Sequence, residues 1–352
     1  MICVNYITLT ISILMNTKNQ RRILITGATS GIGYQAALKL IEDDQELVIL
    51  CRNSSRVDST IKSLRSDNIP LSKIERLAKF PIVDLSDLNS IEEFTANELS
   101  NSCRIDTLIL NAGLQYTGSK FIRRSKQGIE LTFAVNHLSH YYLVQRLISL
   151  LRKSEFPRVV ITSSEVHNPN SPGGQVGKKA DLSDLAGLRK SLDFEMIDGF
   201  SPFDADKAYK DSKLCNTLFS KELSRRFLKN NFNIPVLCWA PGLVIPTTKE
   251  GFFRYSRKYN ELGQILFAFI ARDLLHITES PQNAGKILFN LATLDSYQGE
   301  KFLYLSNNIK TLGQMTLKEK TISKEANNST KAENLWNLSG EIIQKFVTIN
   351  PF

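Results

Sequence analysis

The stretch Arg22-Ile23-Leu24-Ile25-Thr26-Gly27-Ala28-Thr29-Ser30-Gly31-Ile32-Gly33-Tyr34 decides the fold. A short β-branched apolar run passes straight into a turn with glycines at spacings of four and two, and an amphipathic stretch, Tyr34–Ile41, follows at once. Strand, glycine turn and helix in that order put the free N–H groups of a helix N-terminus over the turn, where a pyrophosphate fits. In that context Gly27, Ser30, Gly31, Ile32 and Gly33 are expected to cradle a dinucleotide.

The same alternation continues along the chain. Apolar runs recur at 22–25, 47–50, 80–83, 108–110, 159–161, 236–239 and 302–305, with amphipathic stretches after them. Strands apolar on both faces belong to a parallel sheet covered on both sides, and right-handed crossovers make it doubly wound. The expectation is an α/β fold: one Rossmann-type domain over residues 20–306, a seven-stranded, mostly parallel sheet with helices on both faces. Residues 1–19 form an extension, disordered or not native if translation starts at Met15 rather than Met1. Residues 307–352 turn polar and end in a short helix, Lys331–Phe346. Two long interruptions, 168–206 and 243–280, are expected to form a substrate lid, because loops of that length in a compact domain are usually functional. The second is rich in aromatics, and Phe252 and Phe253 are candidate substrate contacts; a helix that merely packs on the core is the alternative.

Composition narrows the partners. With 352 residues, 42% of them apolar, the chain can bury a sizeable core, and 22% charged residues with 18 glycines and 11 prolines exclude collagen, a coiled coil and long low-complexity disorder. The net charge of +9 is spread along the chain as a solvated surface, so no nucleic-acid partner is expected and membrane contact is at most peripheral. Five cysteines without a CxxC pair point to a reducing, cytoplasmic setting. No metal is expected at His137, His140 or His167, which lack a third ligand at helical spacing. The apolar N-terminus lacks the basic start and cleavage site of a signal peptide, and no run is long enough to span a bilayer.

The second strand ends in Cys51-Arg52-Asn53. An acidic residue there would hold the ribose diol of NAD, whereas an arginine pairs with a 2′-phosphate, so NADPH is the expected cofactor with Arg52 as discriminator and Asn53 beside it. Asp84-Leu85 closes the third strand near the adenine, and Asn111-Ala112-Gly113 closes the fourth with small residues that let a ribose approach. Tyr209 and Lys213 lie four apart, hence on one helical face. The ammonium, together with the cationic nicotinamide ring, is expected to draw the phenol's pKa toward working pH, so that Tyr209 moves a proton while Lys213 holds the nicotinamide ribose. Ser164 ends the fifth strand and can bond the reacting oxygen or the tyrosine, and Asn136, a poor helix former in mid-helix, is expected to bend its helix beside Lys213.

Together TGATSGIG, NAG, VNHLSH, the Ser163-Ser164 strand end and YKDSK resemble the short-chain dehydrogenase/reductase superfamily over residues 20–245. Cys51-Arg52, the run Ser212–Phe219, Ala180–Leu185, Met196–Gly199 and Lys331–Ser339 resemble its branch of light-dependent protochlorophyllide reductases and, less closely, retinol dehydrogenases. The resemblance implies hydride from NADPH and a proton from Tyr209 across a ring double bond of a small apolar pigment, in chlorophyll biosynthesis at a photosynthetic membrane. It also implies cofactor contacts at Pro241, Gly242 and Thr247 and a pigment contact at Cys215, for which a buried small apolar residue on the same helix is the alternative, and homo-oligomers are common on this scaffold. Leu243 stands where that family carries a cysteine. A retinol-dehydrogenase-like carbonyl reductase or alcohol dehydrogenase and a non-catalytic NADPH-binding sensor are the alternatives.

Overall fold

The structure, a computed structural model, describes residues 20–245, 261–269, 271, 277–311 and 314–347. Eight strands form one sheet in the order β3-β2-β1-β4-β5-β6-β7-β8. They are β1 Arg22–Thr26, β2 Glu46–Leu50, β3 Ala78–Lys79, β4 Thr107–Leu110, β5 Arg158–Thr162, β6 Val236–Ala240, β7 Phe302–Thr311 and β8 Gln314–Glu319. The pairings from β3 through β7 are parallel. The order reverses between β1 and β4, which opens a crevice at the carboxyl ends of the strands, where α/β sheets bind ligands.

Alternate residues of each strand feed two separate cores. Ile23, Ile25, Leu47 and Ile49 pack with helices α1 (Gly31–Glu42) and, near the C-terminus, Pro281–Thr293. Leu24, Val48, Leu108 and Leu110 pack on the other face with α2 (Leu88–Asn101), α3 (Ser139–Leu151) and α4 (Ala205–Lys229). Both alternations are therefore apolar, as a two-sided sheet requires.

Two details differ from the sequence reading. The sheet has an eighth strand, antiparallel to β7, and the boundary drawn at 306/307 falls inside β7. The edge strand Gln-Met-Thr-Leu-Lys-Glu reads as polar because an edge tolerates charge. The third strand stops at Lys79 because Pro81 has no N–H for the ladder; pairing resumes only as an isolated bridge from Cys51 to Ile82. The C-terminal helix α5 spans Ser329–Gln344, started by Asn328, whose side chain accepts the Lys331 N–H. Its Trp336 stacks on Phe219 of α4 at 5.8 Å and meets Tyr141 of α3 edge-on at 4.9 Å, so the polar-looking tail belongs to the main core.

Candidate active site

The glycine turn is shaped by what it cannot hold. Gly27 has φ +68°, and a Cβ there would stand 2.7 Å from the Ala112 Cα; one at Gly33 would stand 2.2 Å from the Gly27 carbonyl oxygen. Gly31, at φ +59°, has nothing within 4 Å of its Cβ position, so the space above the turn is open. Thr26 ties this turn to the end of β4: its Oγ1 accepts the N–H groups of Asn111 and Ala112, each at 2.9 Å, and pairs with His140 Nε2 at 3.0 Å. Tight backbone below and free space above fit a dinucleotide's pyrophosphate.

A cavity of about 590 Å³ runs from this turn across the strand ends. Gly27, Ser30, Gly31, Ile32 and Gly33 line it at the turn, and Arg52, Asp84 and Leu85 at the β2 and β3 end. Asn111, Ala112 and Gly113 line its middle, and Ser164, Tyr209, Lys213, Pro241 and Gly242 its far side. Asn53 is absent from the described wall: its side chain caps the helix Ser54–Ser66 by accepting the Arg56 N–H. Cys215, placed near a pigment by the resemblance, is fully buried in the core with Leu214, Leu218 and Phe219, because two positions beyond Lys213 the helix has turned away from the cavity. Thr247, Phe252 and Phe253 lie outside the described residues.

The candidate proton-transfer residues meet as the spacing predicts, with one difference. Tyr209 hydrogen-bonds Ser164. Lys213 Nζ lies 5.7 Å from the centre of the Tyr209 ring and donates to the Thr162 carbonyl at 3.0 Å. Burial pushes the phenol's pKa well above its ordinary value, opposed by the Ser164 bond, and burial lowers Lys213 to about 8. In the protein alone burial acts on both groups and the Lys213 ammonium donates to a carbonyl, whereas the expected pull on the phenol also draws on the nicotinamide ring. Tyr209 is held in the form that can give a proton.

Asn136 sits one layer behind. Its helix widens into a π-helical turn at Ala134–Leu138, the expected irregularity. The side chain accepts the Leu114 N–H at 2.8 Å and donates to the Leu114 carbonyl and to Ser212 Oγ, each at 3.0 Å. It thereby fixes the loop after Gly113 against α4, the helix of Tyr209 and Lys213.

The insertion 168–206, expected as part of a lid, supplies none of the described lining residues and is bolted to α4. Lys210 Nζ donates to the carbonyls of Gly174 at 3.3 Å, Lys178 at 2.9 Å and Val176. Lys207 Nζ reaches the Asp181 carbonyl at 2.7 Å, Asp211 at 2.6 Å and Asp198 at 3.0 Å. Sequence reasoning also missed Arg56, Gln115, Arg124, Leu131, Val135 and Val166 in the cavity wall. Arg56 had a signal, four residues beyond Arg52 at a helix start; Arg124 had none. Among the described residues no helix is long and apolar enough to cross a membrane, and no group of three His, Cys, Asp or Glu is placed for a metal.

The short chain dehydrogenase family profile matches residues 21–176. Protochlorophyllide reductase A, chloroplastic, of Oryza sativa subsp. japonica is 31% identical over 334 residues, 93% of this chain and 81% of the relative. The protochlorophyllide reductase of Cucumis sativus is 31% identical over 335 residues, 93% of this chain and 79% of the relative. L-sorbose reductase of Gluconobacter frateurii, solved with NADPH and L-sorbose, has the same fold at 17% identity, with a TM-score of 0.57 over 86% of this chain and 98% of its own. The chain belongs to the short-chain dehydrogenase family and is an oxidoreductase of that family.

Proposed function

We propose that this chain is an NADPH-dependent reductase of the protochlorophyllide reductase type, acting on a ring double bond of a flat apolar pigment. One observation carries the reading: a single cavity joins the glycine turn and Arg52 at one end to Ser164, Tyr209 and Lys213 at the other. The near full-length similarity to protochlorophyllide reductases supports the substrate class. When bound, the cofactor supplies a hydride. Tyr209 gives its phenolic proton to the reduced substrate, Ser164 holds that phenol in place, and Lys213 reaches the ribose hydroxyls. Arg52, with Arg56 beside it in the wall, meets the 2′-phosphate. A substrate of this class places the protein in the cytoplasm or at the periphery of a photosynthetic membrane, and Leu243 and Val244 in the wall support the segment 243–280 as the substrate side.

The test mixes the protein with NADPH and protochlorophyllide in darkness, then illuminates it and follows chlorophyllide absorbance. Light-dependent product is expected. Leu243 in the cavity wall favours a second reading, a carbonyl reductase or alcohol dehydrogenase on an apolar substrate. Dark NADPH oxidation by retinal without chlorophyllide would replace the first reading with that one, and nucleotide binding with neither product would leave a sensor. Arg52→Asp should cut the NADPH-over-NADH preference about tenfold or more, since a charge-assisted bond contributes roughly 1.5–3 kcal/mol; an unchanged ratio would remove Arg52 as discriminator.

A further inference from the structure

One side chain joins the insertion 168–206 to the nucleotide end of the cavity. Arg124 is exposed, lines the cavity, and lies on a loop hooked to the segment that leads from β3 into α2, whose Asp84, Leu85 and Ser86 also line the cavity. The hooks are Lys126 N–H to the Ser86 carbonyl at 3.1 Å and Gln127 Nε2 to Asp87 at 2.8 Å. In the strand order, β3 is on the opposite side of β1 from β5 and its Ser164, so this is the adenosine half of the crevice. The Arg124 guanidinium is fixed by carbonyls of two segments. Nη1 donates to Gly128 at 2.8 Å and to Phe194 at 3.4 Å, and Nη2 donates to Asp193 at 2.6 Å. Gly128 belongs to its own loop, whereas Asp193 and Phe194 belong to the insertion, where Phe194 is buried edge-on against Phe133 at 5.7 Å.

Carbonyl acceptors hold the guanidinium in place, and the exposed Asp193 carboxylate, which the Arg124 charge helps keep ionised, offsets only part of that charge. The result is a planar cation, oriented in advance, at the mouth of a cavity shaped for a polyanionic nucleotide. Such a group stacks on a base and attracts phosphate, and its fixed fork reduces the ordering cost of doing so. We propose that Arg124 contacts the adenosine half of the dinucleotide and ties it to the insertion, so that filling the cavity stiffens residues 184–198. This rests on the reading that the cavity takes a dinucleotide. The coupling is reciprocal: a docked insertion strengthens nucleotide binding by the same factor.

Limited trypsin digestion reads the coupling, because Arg189 and Lys190 are exposed within the tied segment. With NADP⁺ as probe, saturating nucleotide should slow cleavage there about fivefold or more in the unaltered protein. Arg124→Ala should weaken NADP⁺ binding roughly three- to tenfold by calorimetry and abolish the protection even at saturation. Arg124→Lys keeps the charge without the fork and should also lose the protection, which covers an alanine variant that does not fold. Protection that survives in either folded variant overturns the proposal. So does binding without protection in the unaltered protein. Absence of NADP⁺ binding altogether would instead overturn the cofactor reading, and this proposal with it.

Discussion

Lys207 and Lys213 stand on the same helix, both buried, in opposite surroundings. Lys207 lies between Asp211 and Asp198, and their charges and hydrogen bonds raise its proton affinity against the pull of burial. Lys213 has the Thr162 carbonyl, and burial lowers it to about 8. One face of α4 therefore carries a clasp in which a charged Lys207 is shared by two carboxyl groups. The other carries Lys213, whose ammonium no carboxylate among the described residues balances and which, on the proposed function, meets its acceptors on the cofactor. Chemistry at the strand ends and attachment of the insertion are separate tasks of one helix, and each can be broken without the other.

The largest expected effect is at the reactive face. Tyr209→Phe should lower turnover about 10²–10⁴-fold, the usual range for losing a general acid, while nucleotide binding and thermal stability stay unchanged. Lys213→Met should also cut turnover, yet leave stability equal or higher, because it removes a buried ammonium that carboxylates do not balance. Retained turnover in the phenylalanine variant would mean that the proton comes from another group.

Lys207→Met should do the reverse. Removing one partner of a buried ion cluster leaves uncompensated carboxylates and costs about 3–5 kcal/mol, read as a lower urea midpoint. Turnover should persist wherever the variant remains folded. If Lys207→Met stays stable and loses activity, or Lys213→Met unfolds, the division between the two faces is wrong.

Local spacing explains which parts were legible in the sequence. The glycine turn lies within one strand-to-helix junction, and Tyr209 and Lys213 lie on one helical face, so their meeting needs no knowledge of the rest of the chain. Arg124 and the Asp193 carbonyl are 69 residues apart, and only tertiary closure brings them together. Of the two readings open for Cys215 the structure shows core burial, which a motif leaves undecided because it fixes order and leaves orientation to helical rotation and packing. Asn53 sits beside Arg52 in the chain but is taken by the helix it caps. The upward shift of Tyr209 in the protein alone escaped for a similar reason: neighbouring charge is visible as spacing, whereas burial belongs to the assembled site.

The prediction with the smallest effect per pH unit tests the clasp without breaking it. Asp211 is fully buried and shares Lys207 with Asp198; burial raises it from its ordinary 3.8 to about 7, against the opposing pull of Lys207. Asp198, on balance, is held at about 2 by Ser201, Lys207 and backbone donors despite burial. Between roughly pH 4 and 7 the folded chain therefore binds more protons at Asp211 than the unfolded chain, so this group makes stability fall as pH rises through that window. His137 and His140, lowered by burial to about 3, act in the opposite direction from about pH 3 to 6.5, because there the unfolded chain binds more protons. Only the difference between unaltered protein and Asp211→Asn isolates the carboxyl. The asparagine keeps an acceptor for the Asp181 N–H, which Asp211 takes at 3.0 Å, and does not titrate. Urea midpoints across pH 4 to 8 should show the variant gaining on the unaltered protein as pH rises to 7, by at most about 1.4 kcal/mol per pH unit, and running parallel above it. A constant offset across the whole range would mean that Asp211 is ionised throughout and that Lys207 satisfies both carboxylates at once.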